Sequence, residues 1–112
     1  MRLHHVNVVV PPGETERVAA FYADVLGLRR IEKPLPRPGA WFDVDGFAQL
    51  HVSERDGERH PDSHFGLVVD DFEAVLARVP EWTEQEDVFG GRRGFTRDPA
   101  GNRVELIERF ER

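Results

Sequence analysis

The sequence predicts an α+β fold of two tandem βαβββ modules. Three observations carry that prediction. His5 opens the run H-V-N-V-V-V, and His64 opens the run H-F-G-L-V-V, 59 positions later (from 5 to 64). Each run is β-branched and apolar, and each is followed by an amphipathic helical pattern. A second echo pairs Gln49 in A-Q-L-H-V with Glu105 in V-E-L-I-E, 56 positions apart (from 49 to 105). A self-repeat with this period means two copies of one supersecondary unit. Two copies that each carry a His and a second oxygen-bearing side chain predict a two-fold related cavity.

The elements follow in order. Residues 3–10 alternate, with His5, Asn7 and Val9 on one face and His4, Val6, Val8 and Val10 on the other. Pro11-Pro12-Gly13 ends this strand. Val18, Phe21, Tyr22 and Val25 recur at i, i+3, i+4, i+7 and predict a helix from about Thr15 to Leu26, stopped by Gly27. A short strand over 28–33 leads into a stiff loop containing Pro34, Pro36 and Pro38. Strands are expected at about 40–45 and 47–53, turning at Gly46. The polar segment 53–62 joins module 1, about 1–55, to module 2, about 62–112. The second module repeats the order. A strand covers 63–69, and Asp70 or Asp71 caps a helix in which Phe72, Val75, Leu76 and Val79 share a face. Pro80 marks its end. Strands at about 83–88, 92–97 and 103–109 complete the pattern, with Gly90-Gly91 and Asp98–Asn102 as turns.

Composition bounds the function. A chain of 112 residues, 39% hydrophobic and 32% charged, is an ordinary globular domain. It has no Cys, which excludes disulfides, Cys-zinc sites and thiol nucleophiles. A net charge of −6 argues against nucleic acid as the main partner. No apolar run reaches membrane-spanning length and no secretory signal is visible, so a cytoplasmic protein is expected. Arg92, Arg93, Arg97 and Arg103 form a local basic group. Its members are solvated, or one of them, assigned to Arg92, meets an anionic substrate group.

Four stretches resemble the vicinal oxygen chelate superfamily: L-H-H-V-N-V-V-V, F-Y-A-D-V-L-G-L, H-F-G-L-V-V-D-D and R-D-P-A-G-N-R-V-E-L-I-E. That group includes glyoxalase I, methylmalonyl-CoA epimerase, extradiol dioxygenases, fosfomycin-resistance thiol transferases and the metal-free bleomycin-resistance proteins. The resemblance spans nearly the whole chain and is specific for the fold, not for the reaction. It implies a curved mixed-sheet trough with helices on the outer face, and usually a homodimer.

Strand parity points His5, Gln49, His64 and Glu105 away from the helix layer. Two imidazoles and two oxygens suit a divalent first-row ion, Fe, Mn, Ni or Zn, with positions open to a small oxygen-rich or carbonyl substrate. Glu105 doubles as candidate proton carrier. Asn7, Trp41, Asp43, Phe47, His51 and Arg92 are candidate substrate contacts. His4 and Tyr22 read as structural. The ligand set is most similar to that of methylmalonyl-CoA epimerase, but no basic site for a CoA tail is evident. Two functions follow as expectations: a metal-dependent lyase, isomerase or dioxygenase, or a metal-free protein that binds and sequesters a small molecule.

Overall fold

The computed structural model describes residues 1–110. The chain divides into two compact units, Met1–Arg59 and His60–Arg112, and each is a βαβββ module, giving the α+β fold.

In the first unit, strand β1 (His5–Val10) pairs in parallel with β4 (Gln49–Glu54). β4 pairs antiparallel with β3 (Gly39–Asp43), and β3 with β2 (Arg29–Ile31). The sheet order is β1-β4-β3-β2. Alternation sorts the faces: Val8, Val10, Ala40, Phe42, Leu50 and Val52 are buried, and helix α1 (Thr15–Ala20) packs against β3 and β4 on that side. Glu54, at the end of β4, fastens the start of the helix. Its carboxylate accepts the Gly13 N–H at 2.9 Å and the Thr15 hydroxyl at 2.7 Å.

The predicted helix over Thr15–Leu26 is correct in extent and face but not in winding. After Ala20 the chain widens into a π-helical segment, Phe21–Val25, in which the Leu26 N–H reaches back to the Phe21 carbonyl. Phe21 and Tyr22 remain buried, Tyr22 completely. Gly27 then takes φ = 76°, and the Leu28 N–H closes onto the Tyr22 carbonyl.

In the second unit, β5 (His64–Val68) pairs in parallel with β8 (Arg103–Ile107). β8 pairs antiparallel with β7 (Arg93–Arg97), and β7 with β6 (Thr83–Gln85), in the order β5-β8-β7-β6. Val104, Leu106, Gly94 and Thr96 are buried on one face. Helix α2 (Phe72–Leu76) buries Phe72 and Val75, with Phe72 edge-on to Trp82 at 5.7 Å. The helix is shorter than the apolar spacing suggested. Pro80 excludes Val79 from the helical region, so the last regular turn closes before it.

Candidate functional site

Each unit presents one non-helical sheet face, and several of the predicted side chains lie on it. In unit 1, β4 lies between β1 and β3, so Gln49 sits beside His5 and Asp43, and His51 beside Asn7 and Trp41. Three rings stack as a consequence. Trp41 and His51 are parallel within 3° at 4.0 Å, and His51 and His5 are within 18° at 4.2 Å. The imidazole of His51 is therefore sandwiched and only 8% exposed as a residue.

An amide oxygen can only accept, so the 2.9 Å contact between His51 Nε2 and Gln49 Oε1 places the proton on Nε2 and leaves a lone pair on Nδ1. Burial, then the neighbouring His5 and His4, push the His51 pKa down from 6.5 to about 4. In metal-free protein the unfolded chain thus takes up a proton near pH 6.5 that the folded chain refuses until about pH 4. Stability is expected to be full above pH 6.5 and to fall as pH drops towards 4, by up to about 3 kcal/mol. Urea titrations across this range should show that slope, and His51→Gln should flatten it. A slope unchanged in the variant would show that His51 does not carry it.

The other unit 1 candidates have defined partners. Asn7 Oδ1 accepts the Ser53 hydroxyl at 2.6 Å. Asp43 accepts the Gly46 N–H and lies 3.7 Å from Arg29, so it braces the β3–β4 turn. Phe47 lies in that turn rather than on the expected strand. The Asp45 carboxylate accepts the Phe47 and Ala48 N–H groups and delays β4 until Gln49. The Phe47 ring is exposed, beneath the Arg2 guanidinium and edge-on to His4. His4 precedes β1 and is exposed, with its Nδ1 3.0 Å from His5 Nδ1.

In unit 2, His64 and Glu105 meet. His64 Nδ1 lies 3.0 Å from the Asp62 carbonyl oxygen, which fixes the proton on Nδ1. Its Nε2 then faces Glu105 Oε1 at 3.3 Å. Arg93 holds the second carboxylate oxygen, Oε2, at 3.2 Å, and Arg93 Nε donates to the Glu86 carbonyl. The Phe95 ring stands edge-on to His64 at 5.0 Å.

The register corrects one pairing. Five-residue connections, 44–48 and 98–102, join β3 to β4 and β7 to β8, each closed by the same backbone bond: Val44 N–H to Ala48 O, and Asp98 N–H to Asn102 O. Superimposing them makes Arg103 the counterpart of Gln49, and Glu105 the counterpart of His51. Trp41 likewise corresponds to Phe95, and His5 keeps His64 as its counterpart. The oxygen-for-oxygen match of Gln49 with Glu105 is two residues out of register. Both His51 and Glu105 are buried on the non-helical face of their sheets.

Arg92 is also placed differently from expectation. Its guanidinium bonds Glu84 and Glu73 and lies over the Phe72 ring, on the helix side. Arg93, one position on, shares the face of Glu105 and is the residue the sequence reading passed over. The signal was strand parity: counting back two from Phe95 reaches Arg93, not Arg92. Among the described residues, no group of three or more His, Cys, Asp or Glu side chains is arranged to hold a metal ion.

A family model, Glyoxalase/Bleomycin resistance protein/Dioxygenase superfamily, matches residues 2–106. The chain belongs to that superfamily. No curated protein sequence matches it. Among solved structures it is similar to a glyoxalase family protein from Bacillus anthracis, with TM-score 0.84, 26% identity, and coverage of 96% of this chain and 93% of that one. It shares its fold with the fosfomycin resistance protein FosX from Listeria monocytogenes, solved with Mn(II) and a dihydroxypropylphosphonic acid (TM-score 0.76, 18% identity, 95% and 90% covered). It also shares it with TnmS3, an antibiotic-binding protein from a Streptomyces species (TM-score 0.73, 19% identity, 96% and 94% covered). No helix among the described residues is long and apolar enough to cross a membrane.

Proposed function

We propose that this chain is a divalent-metal-dependent enzyme of the glyoxalase/dioxygenase type, acting on a small oxygen-rich or carbonyl substrate. The observation that carries the reading is the His64–Glu105 pair. The Nδ1–H of His64 is spent on a backbone carbonyl, and its Nε2 faces a carboxylate oxygen 3.3 Å away. Two such donors repel unless a proton or a cation joins them. Ligands about 2.1 Å from one ion stand roughly 3 Å apart, and a backbone carbonyl on the far nitrogen is the usual support of a metal-binding His. The candidate ligands are His64 and Glu105 in unit 2, and His5 and Gln49 in unit 1, where His51 also offers its Nδ1 lone pair.

The ion, Fe, Mn, Ni or Zn, supplies Lewis acidity that polarises paired substrate oxygens and stabilises the negative charge developing on them. The chain's own groups do the rest. Glu105 is the proton acceptor, its carboxylate oriented by Arg93. In unit 1, Trp41 offers apolar surface on the sheet face that carries His5 and Gln49. The FosX structure with Mn(II) supports a divalent ion in this fold.

A second reading is a metal-free protein that binds or sequesters a small molecule. TnmS3, an antibiotic-binding protein that shares the fold, supports it. A thermal-shift panel separates the two. α-Hydroxyketones, diols and catechols are tested with and without each metal. Stabilisation that requires metal supports the enzyme, and stabilisation indifferent to metal supports the binder.

The proposal includes a homodimer. It rests on the family resemblance, with Val68 of β5 exposed at 57%. Sedimentation should give a dimer at micromolar concentration, and a stable monomer there contradicts it.

A further inference from the structure

Unit 1 contains a cavity of about 260 Å³ whose lining has a charge unlike that of the chain as a whole. The protein carries a net charge of −6, yet Lys33, Arg37 and Arg55 all border this cavity. The one carboxylate in the lining, Glu54, is already held by the Gly13 N–H and the Thr15 hydroxyl. Those two hydrogen bonds, Thr15 first, keep Glu54 ionised below the usual carboxylate range. Among the described residues no carboxylate pairs with any of the three cations. Lys33 Nζ instead bonds the Leu35 and Arg37 carbonyls, which pins the proline loop and brings Arg37 to the cavity wall. The lining also includes a flat, uncharged surface: Trp41, backed by the His51 ring in parallel contact at 4.0 Å.

We propose that this cavity binds a small planar, conjugated carboxylate, its ring flat against Trp41 and its oxyanion between Arg37 and Arg55. Three features select that class. Trp41 cannot retreat, because the His51–His5 stack supports it from behind, so it offers a rigid face for an aromatic ring. Two guanidiniums with no carboxylate partner among the described residues offer forked donors that match a carboxylate. The volume lies just under the range of drug-sized pockets, about 300–1,000 Å³, which fits a one- or two-ring compound. The inference deepens the functional reading by naming the substrate class. It rests on that reading only in treating the bound compound as substrate, since the cavity uses neither His64 nor Glu105.

Binding is measured by quenching of Trp41 fluorescence in metal-free protein, in a Trp82→Phe background that leaves Trp41 the sole Trp. The probes are naphthoate and the neutral naphthylmethanol. Naphthoate is expected to bind about 10–100-fold more tightly, the margin of charge-assisted hydrogen bonds. Arg37→Gln with Arg55→Gln should reduce naphthoate to the affinity of the alcohol without altering metal affinity. Trp41→Leu, followed by calorimetry, should weaken both probes. Equal affinities for the two probes, no naphthoate binding, or a double variant that binds naphthoate normally would each overturn the proposal. Failure of metal binding with naphthoate selectivity intact would count against the metal reading alone.

Discussion

Truncating Glu105 to Ala is expected to destabilise unit 2 by about 3–5 kcal/mol, the cost of breaking a buried ion pair from one side. The Glu105 side chain is 9% exposed and its partner Arg93 15%, so the guanidinium left behind is largely cut off from water. The bond from Arg93 Nε to the Glu86 carbonyl survives and places the loss towards the lower end. Glu105 faces away from the helix, so the expected loss is electrostatic rather than a loss of packing. Glu105→Gln retains an oxygen for Arg93 and should lose less. Glu105→Leu combined with Arg93→Met removes both charges and should recover most of the loss. Chemical denaturation of the variants as a double-mutant cycle measures this. A cycle showing no coupling between the two positions would contradict the pairing.

Gly39→Ala is expected to cost about 2–4 kcal/mol, combining backbone strain with a steric clash. Gly39 has φ = 150°, and a Cβ there would stand 2.3 Å from the Val52 carbonyl oxygen of the neighbouring strand. That oxygen belongs to the β4 backbone, so relief requires β3 and β4 to part where Trp41 and His51 are held together. Gly27→Ala is the control. Its φ is 76°, but a Cβ would meet nothing within 4 Å, so only the conformational cost of about 1 kcal/mol applies. Equal losses for the two variants, read from thermal and urea melts, would show that the close approach at Gly39 is not a constraint.

Period-two alternation made much of the site legible in the sequence. Val6, Val8 and Val10 alternate with His5, Asn7 and Val9, and no tertiary information is needed to assign them to opposite faces. The first helix was legible from Val18, Phe21 and Tyr22, because a π-helical step changes the winding without turning Phe21 and Tyr22 out of the core. Strand starts were not legible. They are set by turn hydrogen bonds, such as those by which the Asp45 carboxylate holds Phe47 and Ala48 in the turn. Arg93 shares the parity of Phe95, the cross-strand partner of Glu105, and Arg92 has the opposite parity. The counterpart of Glu105 was missed for a different reason. Matching by chemistry chose Gln49, another oxygen donor, whereas the equal hairpin connections choose His51. The two halves kept backbone register while their side-chain chemistry diverged.

The measurement that bears most directly on the metal proposal is the divalent-ion affinity of protein purified without a His-tag, read by metal analysis and titration for the wild type, His64→Ala and His4→Ala. The proposal predicts a stoichiometric ion in the wild type and in His4→Ala, and a loss of at least about 10–100-fold in affinity when His64 is removed. Metal-free wild-type protein that takes up none of Fe, Mn, Ni or Zn, or equal loss in the His4 and His64 variants, would contradict it.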